Sequence, residues 1–198
     1  MTYIYRRKSV SELETIAEEI RREHPARQRG YVIDIELILD DLNIDIVFRK
    51  GLNRFVEGYL SRDRHIIVMD ETRFTNPTRA RFTLAEEFCH RVLEEDLWKN
   101  DDCEKHRCDR IPAAQHRLVE EDARKLAGAL LMPRGDFTSL YSARARTLKN
   151  ARASEQNVIR ESLKEVAQLF EVSPFAAAFR ALDLKLISRA DLNRLFPS

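Results

Sequence analysis

Two helical segments of this sequence each place a glutamate and a histidine on a face that is otherwise apolar. In the first segment, Glu86 and His90 lie four residues apart on the apolar stripe. In the second, His116 and Glu120 have the same spacing. A charged side chain on a buried stripe is costly unless it is paired or bound to a metal. The fold is therefore constrained to provide partners for these four groups.

Helical geometry, at about 100° per residue, separates the acidic residues of the second segment. Glu120 falls beside the apolar stripe, whereas Glu121 points away and is predicted to be solvated. The stripe itself comprises Val119, Ala123, Leu126, Ala127 and Leu130. Two interpretations remain open at this point. Either each acid–histidine pair neutralises itself, or all four groups meet and form a metal site.

Charge and cysteine content exclude several classes of protein. The 198 residues contain 34 Lys and Arg against 33 Asp and Glu, a balance that gives no support for a dedicated polyanion binder. No uncharged stretch approaches the ~18 apolar residues of a membrane span. The first ten residues place their charges after the apolar ones, unlike a secretory signal. Three cysteines form no disulfide framework, so we expect a cytoplasmic protein.

Hydrophobic periodicity predicts an α+β fold in which a small antiparallel sheet packs against helices. Asn76 suits the N-cap of the central helix and Pro77 its first position. The predicted helices are 9–24, 35–42, a central helix from 77, 113–132, a pair within 155–182, and 188–195. The predicted strands are 44–48, 56–61 and 65–70. Residues 99–112, which contain Cys103, His106 and Cys108, are predicted to be an exposed loop with reduced thiols.

Two runs in these helices resemble known signatures. RFTLAEEFCHRVLEE (81–95) is similar to the active-site helix of the ImmA/IrrE family of bacterial and phage metallopeptidases, typically RFTLAHELGHxxLH. EEDARKLAGALLMP (120–133) is similar to that family's second signature, ExxANxFAxxLLMP. The resemblance implies a minimal zincin-like, gluzincin-type domain at 1–138. Residues 139–198 would then be a C-terminal helical extension, similar to a helix-turn-helix and packed on the domain.

The resemblance also implies roles for individual residues. In the family's HExxH motif, two histidines bind zinc and the glutamate between them is the general base. Carried over, His90 matches the second histidine, Glu87 the general base, and Glu120 the third protein ligand. Glu86 replaces the first histidine, and His116 is an alternative substitute for it.

The substitution at Glu86 affects the expected metal chemistry. A Glu/His/Glu set supplies two negative ligands, so a bound Zn²⁺ would keep no net charge from its protein shell and would activate water less strongly. Oxygen-rich ligand sets also favour harder ions such as Mn²⁺. A metal-free site, with Glu86 paired to His90 or to an arginine, is the other outcome. Nearby, Glu94 replaces a histidine and Cys89 replaces a glycine of the family pattern.

The resemblance implies a metallo-endopeptidase, a hydrolase that cleaves a helix-turn-helix transcriptional repressor in a stress or mobile-element response. The alternative is a catalytically inactive protein-binding module that sequesters a regulator. Direct DNA binding is less favoured, because the second helix of the C-terminal pair contains only one side chain, Arg180, that could hydrogen-bond to DNA bases. The basic stretch Arg134–Arg152 is interpreted as a solvated face or mobile loop, or as a surface for an acidic partner.

Overall fold

The computed structural model describes residues 5–52, 57–61, 65–72, 76–93 and 113–197. The first helix, α1 (Val10–Glu23), begins with a capping box: Ser9 Oγ accepts from the Glu12 N–H, and the Glu12 carboxylate accepts from the Ser9 N–H. These bonds satisfy backbone donors that no helical carbonyl can reach. Its buried side chains include Leu13, Ala17 and Ile20. The predicted amphipathic helix is confirmed.

A short helix and two small sheets follow α1. In chain order they are a 3-10 turn at Pro25–Arg27, β1 (Gln28–Arg29), β2 (Val32–Ile33), α2 (Ile35–Asp41), β3 (Asp45–Arg49), β4 (Gly58–Leu60) and β5 (Ile66–Asp70). Strands β1 and β2 form an antiparallel pair that the sequence did not predict. The other three strands form one sheet in the order β3-β5-β4.

The three-stranded sheet is mixed, which corrects one detail of the prediction. Strands β4 and β5 pair antiparallel, as expected for a hairpin, but β3 and β5 pair parallel. The reason is the path of the chain. After β3 it crosses to the far edge, forms β4 there, and returns through β5 in the middle of the sheet. The α+β class itself is confirmed.

The central helix, α3 (Pro77–Leu93), begins where the sequence predicted. Asn76 Oδ1 accepts a hydrogen bond from the Thr78 N–H at 3.0 Å, which is the expected N-cap contact. Its buried side chains are Thr83, Leu84, Ala85, Phe88, Cys89 and Leu93.

Five further helices complete the described chain: α4 (Ala113–Leu131), α5 (Arg134–Asn150), α6 (Glu155–Leu169), α7 (Pro174–Asp183) and α8 (Arg189–Leu195). Helix α5 spans most of the basic stretch, so the interpretation of that stretch as a mobile loop is wrong and the solvated face remains. Its Phe137 and Tyr141, four residues apart, are buried on one face, while Arg146 and Lys149 are exposed. None of the helices in the described ranges is long and apolar enough to cross a membrane.

One hydrophobic core extends from α1 to α8. Within it, Arg180 of α7 is only 2% exposed and donates to both carboxylate oxygens of Glu14 on α1, at 2.6 and 2.9 Å. Its Nε also donates to the Met132 carbonyl after α4. Arg180 therefore faces the interior. The division into 1–138 and 139–198 stays a prediction, and the core contains residues from both sides of it.

A second arginine joins distant parts of the chain. Arg81 of α3 donates to the Phe170 carbonyl at the end of α6 and to the Ile33 carbonyl of β2. Both acceptors are partly buried backbone carbonyls. Arg81 thus attaches the first turns of α3 to the C-terminal helices.

Candidate active site

The candidate site lies where α3 and α4 pack side by side. His90 Nε2 of α3 is 3.5 Å from Glu120 Oε2 of α4. The histidine side chain is 15% exposed and the glutamate 40%, so the pair lies at the margin of the helix interface. The two helices therefore bring together one predicted residue from each signature.

Glu86, one turn before His90, is half-buried on the same helix. Burial raises the pKa of its carboxyl to about 7, and the negative charges of Glu87 and Glu120 act in the same direction. The positive charges of His90 and Arg124 partly oppose this rise. Near neutral pH, Glu86 is therefore divided between the neutral acid and the carboxylate, without any metal.

Glu87 faces the small sheet. Its Oε2 accepts a hydrogen bond from the Leu60 backbone N–H of β4 at 3.2 Å. Gly58 of β4 faces the same helix: a Cβ there would lie 3.4 Å from Thr83 Cγ2, one turn before Glu87. The edge strand β4 therefore runs alongside α3 and fixes one oxygen of Glu87.

Sequence analysis missed this contact with β4. It predicted the strand, but no residue pattern in it points to Glu87. The only local signal is Gly58, since an isolated glycine within a strand often marks a close approach of another part of the chain.

The three consecutive acids of α4 have three different environments. Glu120 lies 3.5 Å from His90. Glu121 was predicted to be solvated, but its carboxylate accepts from Arg7 at 2.7 Å and is only 30% exposed. Asp122 is fully buried and accepts from Tyr5 Oη and from the Lys8 N–H. The segment before α1, which periodicity could not place, covers this side of α4.

Several predicted groups fall outside what the structure describes. Residue 116 belongs to α4, but the His116 side chain is not among the described ones. Glu94 and the predicted loop at 99–112, with its two cysteines and His106, also lie outside the described residues. Cys89, by contrast, is fully buried, and burial raises the pKa of its thiol well above its usual range. A buried, protonated thiol is a packing residue rather than a nucleophile.

The donor atoms can be compared with the requirements of a metal ion. Tetrahedral zinc with nitrogen and oxygen ligands at about 2.1 Å has neighbouring ligand atoms roughly 3.4 Å apart. The 3.5 Å between His90 Nε2 and Glu120 Oε2 fits two such positions, and it also fits a simple ion pair. Within the described ranges, no group of three or more histidine, cysteine or acidic side chains is arranged to hold a metal ion.

The fold is mostly helical α+β, consistent with a minimal zincin-like domain. A sequence model of the peptidase family M78, described as the IrrE N-terminal-like domain, matches residues 39–182. The chain belongs to this family. The match extends through α7, well beyond residue 138.

Among solved structures, the chain is similar to a protein named "Mycobacterium tuberculosis transcriptional regulator". The TM-score is 0.59 and the sequence identity is 20%. At this level of identity, the similarity is evidence for a shared fold alone. The match covers 88% of this chain but 47% of the mycobacterial protein, so this chain spans about half of that structure. No curated protein matches the sequence.

Proposed function

We propose that this chain is a cytoplasmic, metal-dependent endopeptidase that cleaves a helix-turn-helix transcriptional repressor. The observation that carries the proposal is the 3.5 Å distance between His90 and Glu120, which are donors from two different helices. Family membership supports a peptidase, and a regulatory target fits the naming of the similar mycobacterial protein as a transcriptional regulator. Release of stress-response or mobile-element genes is the expected consequence of cleavage.

In this proposal, Glu86, His90 and Glu120 hold the ion, which is Zn²⁺ or the harder Mn²⁺. His116 is the alternative to Glu86. When bound, the ion would polarise a water molecule and the substrate carbonyl. Since Glu86 is neutral in part near pH 7, the carboxyl must lose its proton to become a ligand. Metal uptake should therefore release a proton and become weaker below neutral pH.

Glu87 is the proposed general base. It takes a proton from water as the water oxygen attacks the carbonyl carbon, and it passes that proton to the amine when the C–N bond breaks. The hydrogen bond from the Leu60 N–H to its Oε2 helps to orient the carboxylate. Glu87 lies one position from Glu86 on α3, as the base does in HExxH.

Metal content tests the proposal. Protein purified without chelators or a histidine tag is expected to contain about one equivalent of Zn²⁺ or Mn²⁺ by plasma mass spectrometry. Glu86→Ala should lose this metal. Glu121→Ala is the matched control, because its carboxylate lies on the same helix as Glu120 but pairs with Arg7. Protein that neither contains metal nor takes up added metal would rule out the mechanism.

The second candidate is a catalytically inactive module that binds and sequesters a regulator. The pKa of about 7 at Glu86 favours it, because a protonated carboxyl can remain at the site without any cation. Metal-free protein that still forms a stable complex with a helix-turn-helix repressor, and leaves it uncut, would support this candidate.

A further inference from the structure

Arg124 has no role in the site as described so far. It lies on α4 one turn after Glu120, and residues four apart share a helix face. Arg124 therefore shares a face of α4 with Glu120, which meets His90 across the interface. Its charge also acts on Glu86, as does that of His90. Arg124 therefore brings a permanent positive charge to the site.

An aromatic ring orients this arginine. The Arg124 guanidinium carbon lies 4.9 Å from the ring centroid of Phe179 on α7, a cation–π contact. Phe179 is itself held by Phe175, whose ring centroid is 4.8 Å away. A guanidinium stacked on a ring keeps its N–H groups at its edge, where they can donate to an anion.

The reaction proposed above has a need for such a group. When water attacks a peptide carbonyl, the π electrons of the C=O bond move to its oxygen, which becomes negative before the C–N bond breaks. A shell of two glutamates and one histidine leaves a divalent ion with no net charge, so it stabilises that oxygen poorly. A fixed cation in a partly buried site stabilises such charge more strongly than water does.

We propose that Arg124 is a catalytic residue that donates hydrogen bonds to the negatively charged oxygen of the tetrahedral intermediate. The proposal rests on the proposed peptidase function. It adds to that reaction a positively charged group of this chain that stabilises the negative oxygen. Phe179 is then a positioning residue, which acts by holding the guanidinium. The same site should bind small tetrahedral anions linked to a peptide.

The first test measures binding without turnover. The probe is N-phosphoryl-leucyl-tryptophan, a dipeptide with a tetrahedral anionic group, and calorimetry gives its Kd with and without added Zn²⁺. Arg124→Gln should weaken binding about 10- to 100-fold in both conditions, and Arg124→Lys should recover part of the loss. Arg117→Gln is the control, because this side chain on the same helix is 81% exposed. It should bind the probe like wild type.

Phe179→Leu tests whether the aromatic ring positions the Arg124 guanidinium, independently of the charge that Arg124 carries. It keeps the guanidinium but removes the ring, so an intermediate loss of affinity is expected. Circular dichroism and thermal melting should show each variant folded. Wild type that binds no probe, or Arg124→Gln that binds as tightly as wild type, would overturn the proposal.

A second measurement distinguishes this proposal from the peptidase function. If wild type cleaves a repressor, Arg124→Gln should lower kcat with little change in KM, and an unchanged kcat would overturn the role of Arg124 while cleavage stands. If wild type binds the probe through Arg124 but carries no metal and cleaves nothing, the peptidase function fails and the anion site stands.

Discussion

Glu86 and Glu87 are adjacent glutamates with different contacts, and this difference matters most for the chemistry. Glu87 is tied to a backbone N–H of β4, whereas Glu86 lies half-buried among charges of both signs. Adjacent residues on a helix diverge by about 100°, so the two carboxyls face different neighbours. The two adjacent carboxyls are therefore available for different roles.

Glu87→Gln is expected to abolish cleavage and leave metal content unchanged. Glutamine keeps an oxygen that can accept the Leu60 hydrogen bond, so the fold is preserved, but an amide cannot take up the proton. Mass spectrometry of a repressor incubated with each protein, together with metal analysis, checks this. Cleavage that persists in the variant would exclude Glu87 as the base.

Glu86 should make the stability of metal-free protein depend on pH. Its pKa is raised to about 7 from the ordinary 4.5, so the folded state binds a proton more tightly than the unfolded state. This contribution is fully present below about pH 4.5 and is lost as pH rises through 7. Relative to Glu86→Gln, wild type should lose up to about 3 kcal/mol over that window. Urea unfolding at pH 4.5, 6 and 8 measures it, and parallel profiles would contradict it.

At the scale of elements, the packing of β4 against β5 depends on one glycine. A Cβ at Gly58 would lie 3.0 Å from Met69 Sδ and 3.2 Å from the Val68 carbonyl oxygen. The carbonyl belongs to the neighbouring strand and cannot move without disturbing the sheet. Side chains at position 58 should therefore push β4 away from β5 and shift the Leu60 N–H that donates to Glu87.

Gly58→Val is expected to destabilise the protein by about 1–3 kcal/mol and to weaken cleavage through Glu87. Gly135→Ala is the control, since nothing lies within 4 Å of its Cβ position in α5 and it should stabilise by about 0.5–1 kcal/mol. Chemical denaturation checks both. Equal stability of Gly58→Val and wild type would show that β4 is not packed closely against β5.

Periodicity predicted most of the elements, because helices such as α1 and α3 carry their own caps and apolar faces. It missed α5, whose few apolar residues are separated by basic ones that suggested a loop. It also predicted an all-antiparallel sheet, since strand direction depends on how connections cross the sheet rather than on the strand itself. For the site, helix geometry was enough to place His90 and Glu120 beside the apolar faces of their helices. The contacts of Glu87 and Arg124 could not be predicted, because their partners lie in β4 and α7, which are distant in the sequence.

At the scale of the whole molecule, the buried Arg180–Glu14 pair links the last third of the chain to its first helix. Both side chains are less than a tenth exposed, and the contact uses two oxygens and two nitrogens. Removing one partner leaves the other charge buried, which typically costs about 3–5 kcal/mol.

Glu14→Leu and Arg180→Met are each expected to destabilise the protein by about that amount, whereas the double variant should recover much of the loss. The free energy of unfolding in urea, measured for all four proteins, gives the coupling. If the two losses of unfolding free energy simply add in the double variant, Arg180 and Glu14 do not stabilise the protein as a coupled pair.

Arg81 has a consequence for how such chains can diverge by recombination. Its side chain reaches a carbonyl at the end of α6 and another in β2, so three separate stretches of sequence meet at one guanidinium. A crossover that imported a foreign C-terminal half would keep the arginine but change the backbone it must meet. Natural hybrids should therefore fold chiefly when the turn after α6 keeps its length. In a library of proteins recombined from relatives, few folded members should have their crossover site near residue 170.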